Sequence, residues 1–185
     1  MHWNTLKSIL LYGVDINVAI PSSGKTAFMI ACEFGYDAIC SLFLVSSLDK
    51  DARDNTVGTA LDWAWEFEHV DLCKKLLKAG FDKQSQRNKV LLLRKAVQKE
   101  NNKLIELFFT TWKKWNSIDD KGNTILHYAC KEGFSDVVQL LFIFLGTNNL
   151  GPLLRNKKGK TARAIALAKG DKEIELLLSR HRVTH

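Results

Sequence analysis

The chain has 185 residues, 46% hydrophobic and 25% charged, with two prolines and eleven glycines. That composition belongs to a folded chain, and it excludes a disordered, collagen-like or linker-dominated protein. The formal charge of +7 is uneven: residues 155–185 carry nine Lys and Arg against three acidic residues, which reads as a solvated, solubilising end rather than a patch for an acidic partner or nucleic acid.

In chain order, residues 1–20 place His2, Trp3, Asn4 and Lys7 among apolar residues, without the layout of a secretory signal. Four cysteines in such a chain are expected to be reduced thiols in an intracellular compartment. Thr26 to Cys32 then opens a pattern that recurs as Thr59 to Trp65, Thr124 to Cys130 and Thr161 to Leu167, with a degenerate copy at Leu91 to Val97. The alanines at its centre, Ala31, Ala64, Ala96, Ala129 and Ala166, are 33, 32, 33 and 37 residues apart. About nine residues after each comes an apolar segment: Ile39–Leu44, Leu72–Leu77, Leu104–Phe109, Val137–Phe142 and Ile174–Leu178. Leu72, Cys73, Leu76 and Leu77 show its helical spacing, which puts one apolar stripe on one face. Each unit therefore reads as two short helices that must stack on neighbours to bury their stripes. The most apolar stretch, Val137–Leu145, is broken by Gln139 and falls short of the roughly 20 residues of a bilayer span, so no membrane association is expected.

The period near 33, the Gly-x-Thr openings, Leu126-His127-Tyr128-Ala129, the glycines Gly35, Gly133 and Gly170, and the ending Leu76-Leu77-Lys78-Ala79-Gly80 resemble ankyrin repeats. The resemblance implies an all-α solenoid of helix-turn-helix units with short turn or hairpin tips. It gives a single domain over 1–185: a half-repeat at 1–20, closing with Leu10 to Asn17, and repeats at about 21–53, 54–85, 86–118, 119–155 and 156–185. Starting mid-repeat suggests a fragment of a longer protein. The sequence departs from the family pattern in lacking the usual proline after the repeat threonine. The unit at 86–118 also lacks the opening glycine and threonine, so a distorted repeat is expected there. The spacing expands between Phe142 and Asn156 around Gly146, Asn148, Asn149, Gly151 and Pro152, which predicts a longer loop.

Several motifs invite a chemical reading that the repeat absorbs. Ala19 to Thr26, after a candidate strand at Val14 to Val18, comes within one glycine of a phosphate-binding loop, yet Gly159-Lys160-Thr161 repeats the same tripeptide in the last unit, and no second strand supplies a carboxylate for magnesium. Cys32 and Cys130 share one repeat position, and Cys40 and Cys73 another; both read as core. No short Cys-x-x-Cys pair occurs, so neither a metal nor another cofactor is expected. Under the resemblance His127 is structural, bonding backbone near the turn. Asp54, Asp119 and Asp120 read as turn residues rather than an acid/base couple. Trp63 and Trp65 are expected to pack beside Ala64, and Trp112-Lys113-Lys114-Trp115 to close a repeat.

Carried over position by position, the family's turn tips and exposed first-helix positions nominate a partner-binding row in each unit. These are Ser22, Ser23, Lys25, Glu33 and Phe34; Asn55, Thr56, Glu66 and Phe67; Arg87, Asn88, Gln98 and Lys99; Asp120, Lys121, Asn123, Lys131 and Glu132; and Lys157, Lys158, Lys160 and Lys169. Phe34 and Phe67 hold equivalent positions and would form a paired aromatic anchor if exposed. The function implied is a non-catalytic adaptor or targeting scaffold, monomeric alone, binding another protein through its concave face in the cytoplasm. The alternative is a targeting segment of a larger enzyme, or of a bacterial effector acting in a host cytosol, whose active domain lies outside this chain. No small-molecule substrate is expected, and nucleic acid is the less favoured partner.

Overall fold

The computed structural model describes residues 15–81, 86–114 and 117–180, with backbone only at 147–150. The N-terminal half-repeat through Val14, and Trp115, lie outside them. Among the described residues there are ten helices and no named strand, and they pack as two compact units on either side of the 83/84 boundary.

The first unit contains α1 (Ala27–Glu33), α2 (Asp37–Leu44), α3 (Ala60–Glu66) and α4 (Val70–Lys78). α1 packs on α2 and α3, and α3 on α4. Phe28, Met29, Leu61, Trp65 and Leu76 form its buried centre, and the Phe28 ring lies 5.7 Å from Phe43 and 5.6 Å from Phe81.

The second unit contains α5 (Gln86–Gln98), α6 (Asn102–Thr111), α7 (Ile125–Glu132), α8 (Ser135–Leu150), α9 (Ala162–Lys169) and α10 (Lys172–Arg180). α7 packs against α5, α8 and α9, and α10 against α8 and α9. Leu93, Leu104, Phe108, Leu126, Leu141 and Ile174 are wholly buried there.

All five alanines of the repeat are buried; within each unit the first helices of neighbouring repeats approach one another there, and only a small side chain fits. The repeat threonines have one further task. Thr26, Thr59, Thr124 and Thr161 are the N-caps of α1, α3, α7 and α9, each accepting a hydrogen bond from the third helical N–H.

Where that threonine is missing, the helix differs. α5 has 13 residues against seven or eight in the other first helices, since no cap stops it from starting early. Arg87 and Asn88, nominated as turn-tip residues, therefore lie in the first turn of a helix. The loop expected after Phe142 is corrected too. α8 runs on to Leu150 across a kink at Gly146 (φ 64°, ψ 174°), so the additional residues are mostly helical backbone. The candidate strand is also absent among the described residues 15–18, which form a turn followed by a single bridge between Ala19 and Thr26.

Candidate functional site

Three of the first helices, α3, α7 and α9, are preceded by hairpin-like tips built on one pattern. Asp54 N–H donates to Gly58 C=O, Asp119 to Asn123 and Asn156 to Lys160, each at 3.0 Å. In each tip the first residue's side chain also turns inward. Asp54 Oδ1 accepts from the N–H of Thr56 and of Gly58, Asp119 Oδ1 from Lys121 and Asn123, and Asn156 Oδ1 from Lys158 and Lys160, all at 2.8–3.0 Å. Burial works against ionisation of both aspartates, but these bonds outweigh it and hold the two carboxyls below their ordinary value of 3.8. Asp54 and Asp119 are thus turn residues, as their positions implied.

A second brace reaches each of these aspartates from the helix. Trp63 Nε1–H donates to Asp54 Oδ2 at 2.7 Å, and Tyr128, at the equivalent position, donates its hydroxyl to Asp119 Oδ2 at 2.6 Å. Adjacent tips are joined through backbone. Asn55 N–H donates to Ser23 C=O in the first unit, and Lys157 N–H to Lys121 C=O in the second, both at 3.0 Å. At Gly24 (φ +71°) a Cβ would sit 2.7 Å from the Asn55 nitrogen, so this close approach requires glycine.

The tip at Ile20–Lys25 spends the donors that a phosphate loop would need. Ile20 N–H bonds Lys25 C=O, Ser23 and Gly24 N–H bond Ile20 C=O, and Lys25 N–H bonds Ser23 Oγ. The Lys25 ammonium meets Glu33 at 2.7 Å and lies 3.4 Å from the centre of the Trp63 ring. Four N–H groups of the loop and its lysine are thus already engaged, as a phosphate cradle would not have them.

On the surface of the first unit, Phe34 and Phe67 are 59% and 48% exposed, so neither ring packs into the core. Each is supported from one side. Phe34 stacks on the exposed ring of Tyr36 with centroids 5.7 Å apart, and Phe67 on Trp63 at 6.3 Å. Tyr36 and Trp63 were not among the nominated residues. Tyr36 follows the mid-repeat glycine, which hides its exposure in the pattern, and Trp63 sits beside a core alanine, which suggests burial; Trp65 on the other side is wholly buried. Lys25 and Glu33 neutralise each other, while Asn55 Nδ2–H donates to Ser22 C=O at 3.2 Å and the Thr56 hydroxyl to Asp54 at 2.6 Å. Glu66 is half-buried at the end of α3.

In the second unit Gln98 and Lys99 are exposed at the end of α5, and Arg87 pairs with Glu132 at 3.1 Å; Asn88 is half-buried. The two C-terminal tips surround an open depression of about 440 Å³, lined by Asp120, Lys121, Asn123, Lys131, Lys157, Lys158 and Lys160 together with Tyr128, Asn156 and Ile165. Seven of these residues were nominated from sequence, and the structure gathers them at one place. The Lys169 ammonium instead donates to Lys131 C=O at 3.1 Å.

All four cysteines are free and buried. Burial pushes the Cys73 and Cys130 thiols up to about 12. The Cys32 and Cys40 sulfurs lie 3.8 Å apart, and the hydrogen bond between them, together with burial, pushes Cys32 well above an ordinary thiol. That same bond lowers Cys40, but its side chain is wholly buried against Cys32, without the exposed setting of a reactive thiolate. Among the described residues no group of three or more His, Cys, Asp or Glu is placed to hold a metal ion, and no helix is long and apolar enough to cross a membrane.

The profile of the family described as Ankyrin repeats (3 copies) matches residues 2–87 and 93–184. The chain belongs to the ankyrin-repeat family. Among relatives, it is 33% identical over 140 residues to ankyrin repeat protein FPV223 of fowlpox virus, spanning 76% of this chain and 99% of that one. It is also 33% identical over 104 residues to ankyrin repeat protein FPV034 of the same virus, covering 56% of this chain and 25% of that protein. A Caenorhabditis elegans homolog of transient receptor potential cation channel subfamily A member 1 matches at 22% over 72% of this chain but 11% of its own length. Among solved structures, a chain from the complex of the Bd0816 predatory endopeptidase of Bdellovibrio bacteriovorus with immunity protein Bd3460 superposes with a TM-score of 0.61 at 22% identity, covering 98% of this ankyrin-repeat chain and 93% of its own. That likeness concerns the fold. Proteins built from ankyrin repeats generally serve as protein-interaction modules, typically without catalysis.

Proposed function

We propose that this chain is a protein-binding module, an adaptor or targeting scaffold that engages a partner protein through its tips and the exposed ends of its first helices. The observation that carries this reading is the aromatic surface of the first unit. Phe34 and Phe67 stand out from equivalent positions, each held against a second ring, so little side-chain freedom is left to lose on binding. Exposed aromatics held in this way are typical anchors of an interface. The nominated residues Lys25, Glu33, Asn55, Thr56 and Glu66 border that surface in sequence and would form its polar rim. The reading assigns no catalytic step to the chain, which would act as a monomer before binding and in the cytoplasm.

A second reading makes these repeats the targeting segment of a larger protein. It draws on the worm channel homolog, where the matched region is a small part of a much longer chain. Against it stands the fowlpox virus relative matched over nearly its whole length.

The test is a pull-down with the intact chain beside a Phe34→Ala, Phe67→Ala double variant whose circular dichroism matches the parent. Capture of one protein by the parent and its loss with the variant supports the aromatic anchor. Equal capture by both would remove these rings from the interface.

A further inference from the structure

The depression in the second unit is unlike the rest of the nominated surface in its charge. Five lysines border it, at 121, 131, 157, 158 and 160, against the single rim carboxylate of Asp120. Two other cations of the same rows are neutralised, Lys25 by Glu33 and Arg87 by Glu132. Among the described residues the ammonium groups of Lys121, Lys157, Lys158 and Lys160 meet neither a carboxylate nor a side-chain acceptor.

We propose that this depression seats a segment of a partner polypeptide carrying successive carboxylate side chains, an inference that rests on reading the tips and first helices as the partner-binding surface. The backbone bond from Lys157 to Lys121 fixes the origins of the lysine side chains on neighbouring tips, so their spacing is set by the scaffold. The tips are bonded backbone to backbone, and the long lysine side chains spread from there over the roughly 6.5–7 Å between alternate residues of an extended chain. Carboxylates at every second position of a bound strand therefore reach successive tips. Ile165 adds an apolar side chain to the same lining.

Polypeptide is favoured over nucleic acid by two features. The aromatic ring at the site belongs to Tyr128, which is 9% exposed with its hydroxyl held by Asp119, so it presents no face for a base to stack on. Asp120 at the rim repels a continuous phosphate backbone, whereas side-chain carboxylates of a peptide approach individually.

The experiment is fluorescence anisotropy of a labelled hexaglutamate peptide titrated with the full chain, beside a hexaglutamine peptide and a labelled single-stranded oligonucleotide. Saturable binding of hexaglutamate alone is expected, weakened roughly tenfold or more by Lys121→Gln, Lys157→Gln, Lys158→Gln together and by added salt. The single variant Lys158→Glu, with minimal risk to folding, should weaken it in the same sense. A control triple, Lys103→Gln, Lys113→Gln, Lys114→Gln, removes the same charge at exposed positions elsewhere and should leave binding within about twofold. Equal weakening by both triples, no binding of hexaglutamate, or tighter binding of the oligonucleotide at matched ionic strength would each overturn the proposal. Absent peptide binding alongside an intact Phe34- and Phe67-dependent capture would sink this inference and leave the module reading standing.

Discussion

His127 Nε2 donates to the carbonyl oxygen of Lys160 at 3.2 Å, joining two repeats across 33 residues of chain. The donor is assigned by the other ring nitrogen: Nδ1 lies 3.1 Å from the Thr124 N–H and accepts from it, so the neutral ring carries its proton on Nε2. One imidazole thereby closes the cap of α7 and holds the next tip.

This arrangement predicts acid sensitivity. Burial lowers the His127 pKa below its ordinary 6.5, so the unfolded chain binds a proton more readily than the folded one. The stability from this group is complete above pH 6.5 and falls as the pH drops from 6.5 through the folded value. Thermal melts followed by circular dichroism between pH 7.5 and 5 should show a falling Tm. His127→Gln should be less stable at neutral pH and lose that slope; an unchanged slope would show that other groups cause it.

Val57 occupies a left-handed conformation (φ 67°) at a tip position where the equivalent residues are Gly122 (φ 74°) and Gly159 (φ 70°). A β-branched residue is strained there. Val57 is 63% exposed, so little burial is lost on removing its side chain. Val57→Gly is expected to stabilise the protein by on the order of 0.5–1 kcal/mol in urea unfolding. A loss of stability would mean the valine makes contacts that outweigh its strain.

Removing the threonine caps should cost about 1 kcal/mol each. Thr59→Ala is expected to cost more than Thr161→Ala, because the Thr59 hydroxyl also donates to Asp62 Oδ2 at 2.8 Å. Urea titrations of the two single variants give the comparison directly.

Two aromatic residues two positions apart should behave oppositely. Trp65 is wholly buried, and Trp65→Ala is expected to destabilise by about 3–5 kcal/mol. Phe67→Ala, on an exposed ring, should stay within about 1 kcal/mol of the parent. Matching losses would place Phe67 in the core and undo its role as an anchor.

Thiol chemistry offers an independent check on packing. With all four cysteines buried and two of the thiols pushed up to about 12, a water-soluble disulfide reagent should label almost nothing in the native protein and all four residues in denaturant. Rapid labelling of the native chain would contradict the placement of these side chains.

Much of this architecture is legible in the sequence because the repeat states its requirements five times over. Small residues recur where first helices meet, threonine recurs where helices begin, and the apolar second segments follow at fixed distance. The misreadings arise where local chemistry is a poor guide to what the neighbours permit. At 86–98 the missing threonine removes a stop signal, and a helix extends over positions that are tips elsewhere. After Gly146, the Asn and Gly residues favour turns, yet the chain takes helical backbone again. The pairing of Lys25 with Glu33 spans the length of α1, and Tyr36 stacked on Phe34 lies across a left-handed glycine; no linear period marks either contact. The depression combines residues from two tips and two helices, and only folding brings them to one place.

The bonds from Asn55 to Ser23 and from Lys157 to Lys121 run between peptide groups alone. This backbone ladder is therefore indifferent to the lysines displayed at 157 and 158, while Asn55 and Asn156 add side-chain bonds of their own between tips. A lysine at 157 or 158 can become a glutamate, a serine or a tyrosine without loosening the ladder beneath it, while the inward aspartates and the left-handed glycines cannot be exchanged so freely. The molecule separates its address from its frame: the outward residues spell a destination that can be rewritten one letter at a time, on a support that need not be rebuilt for each new spelling.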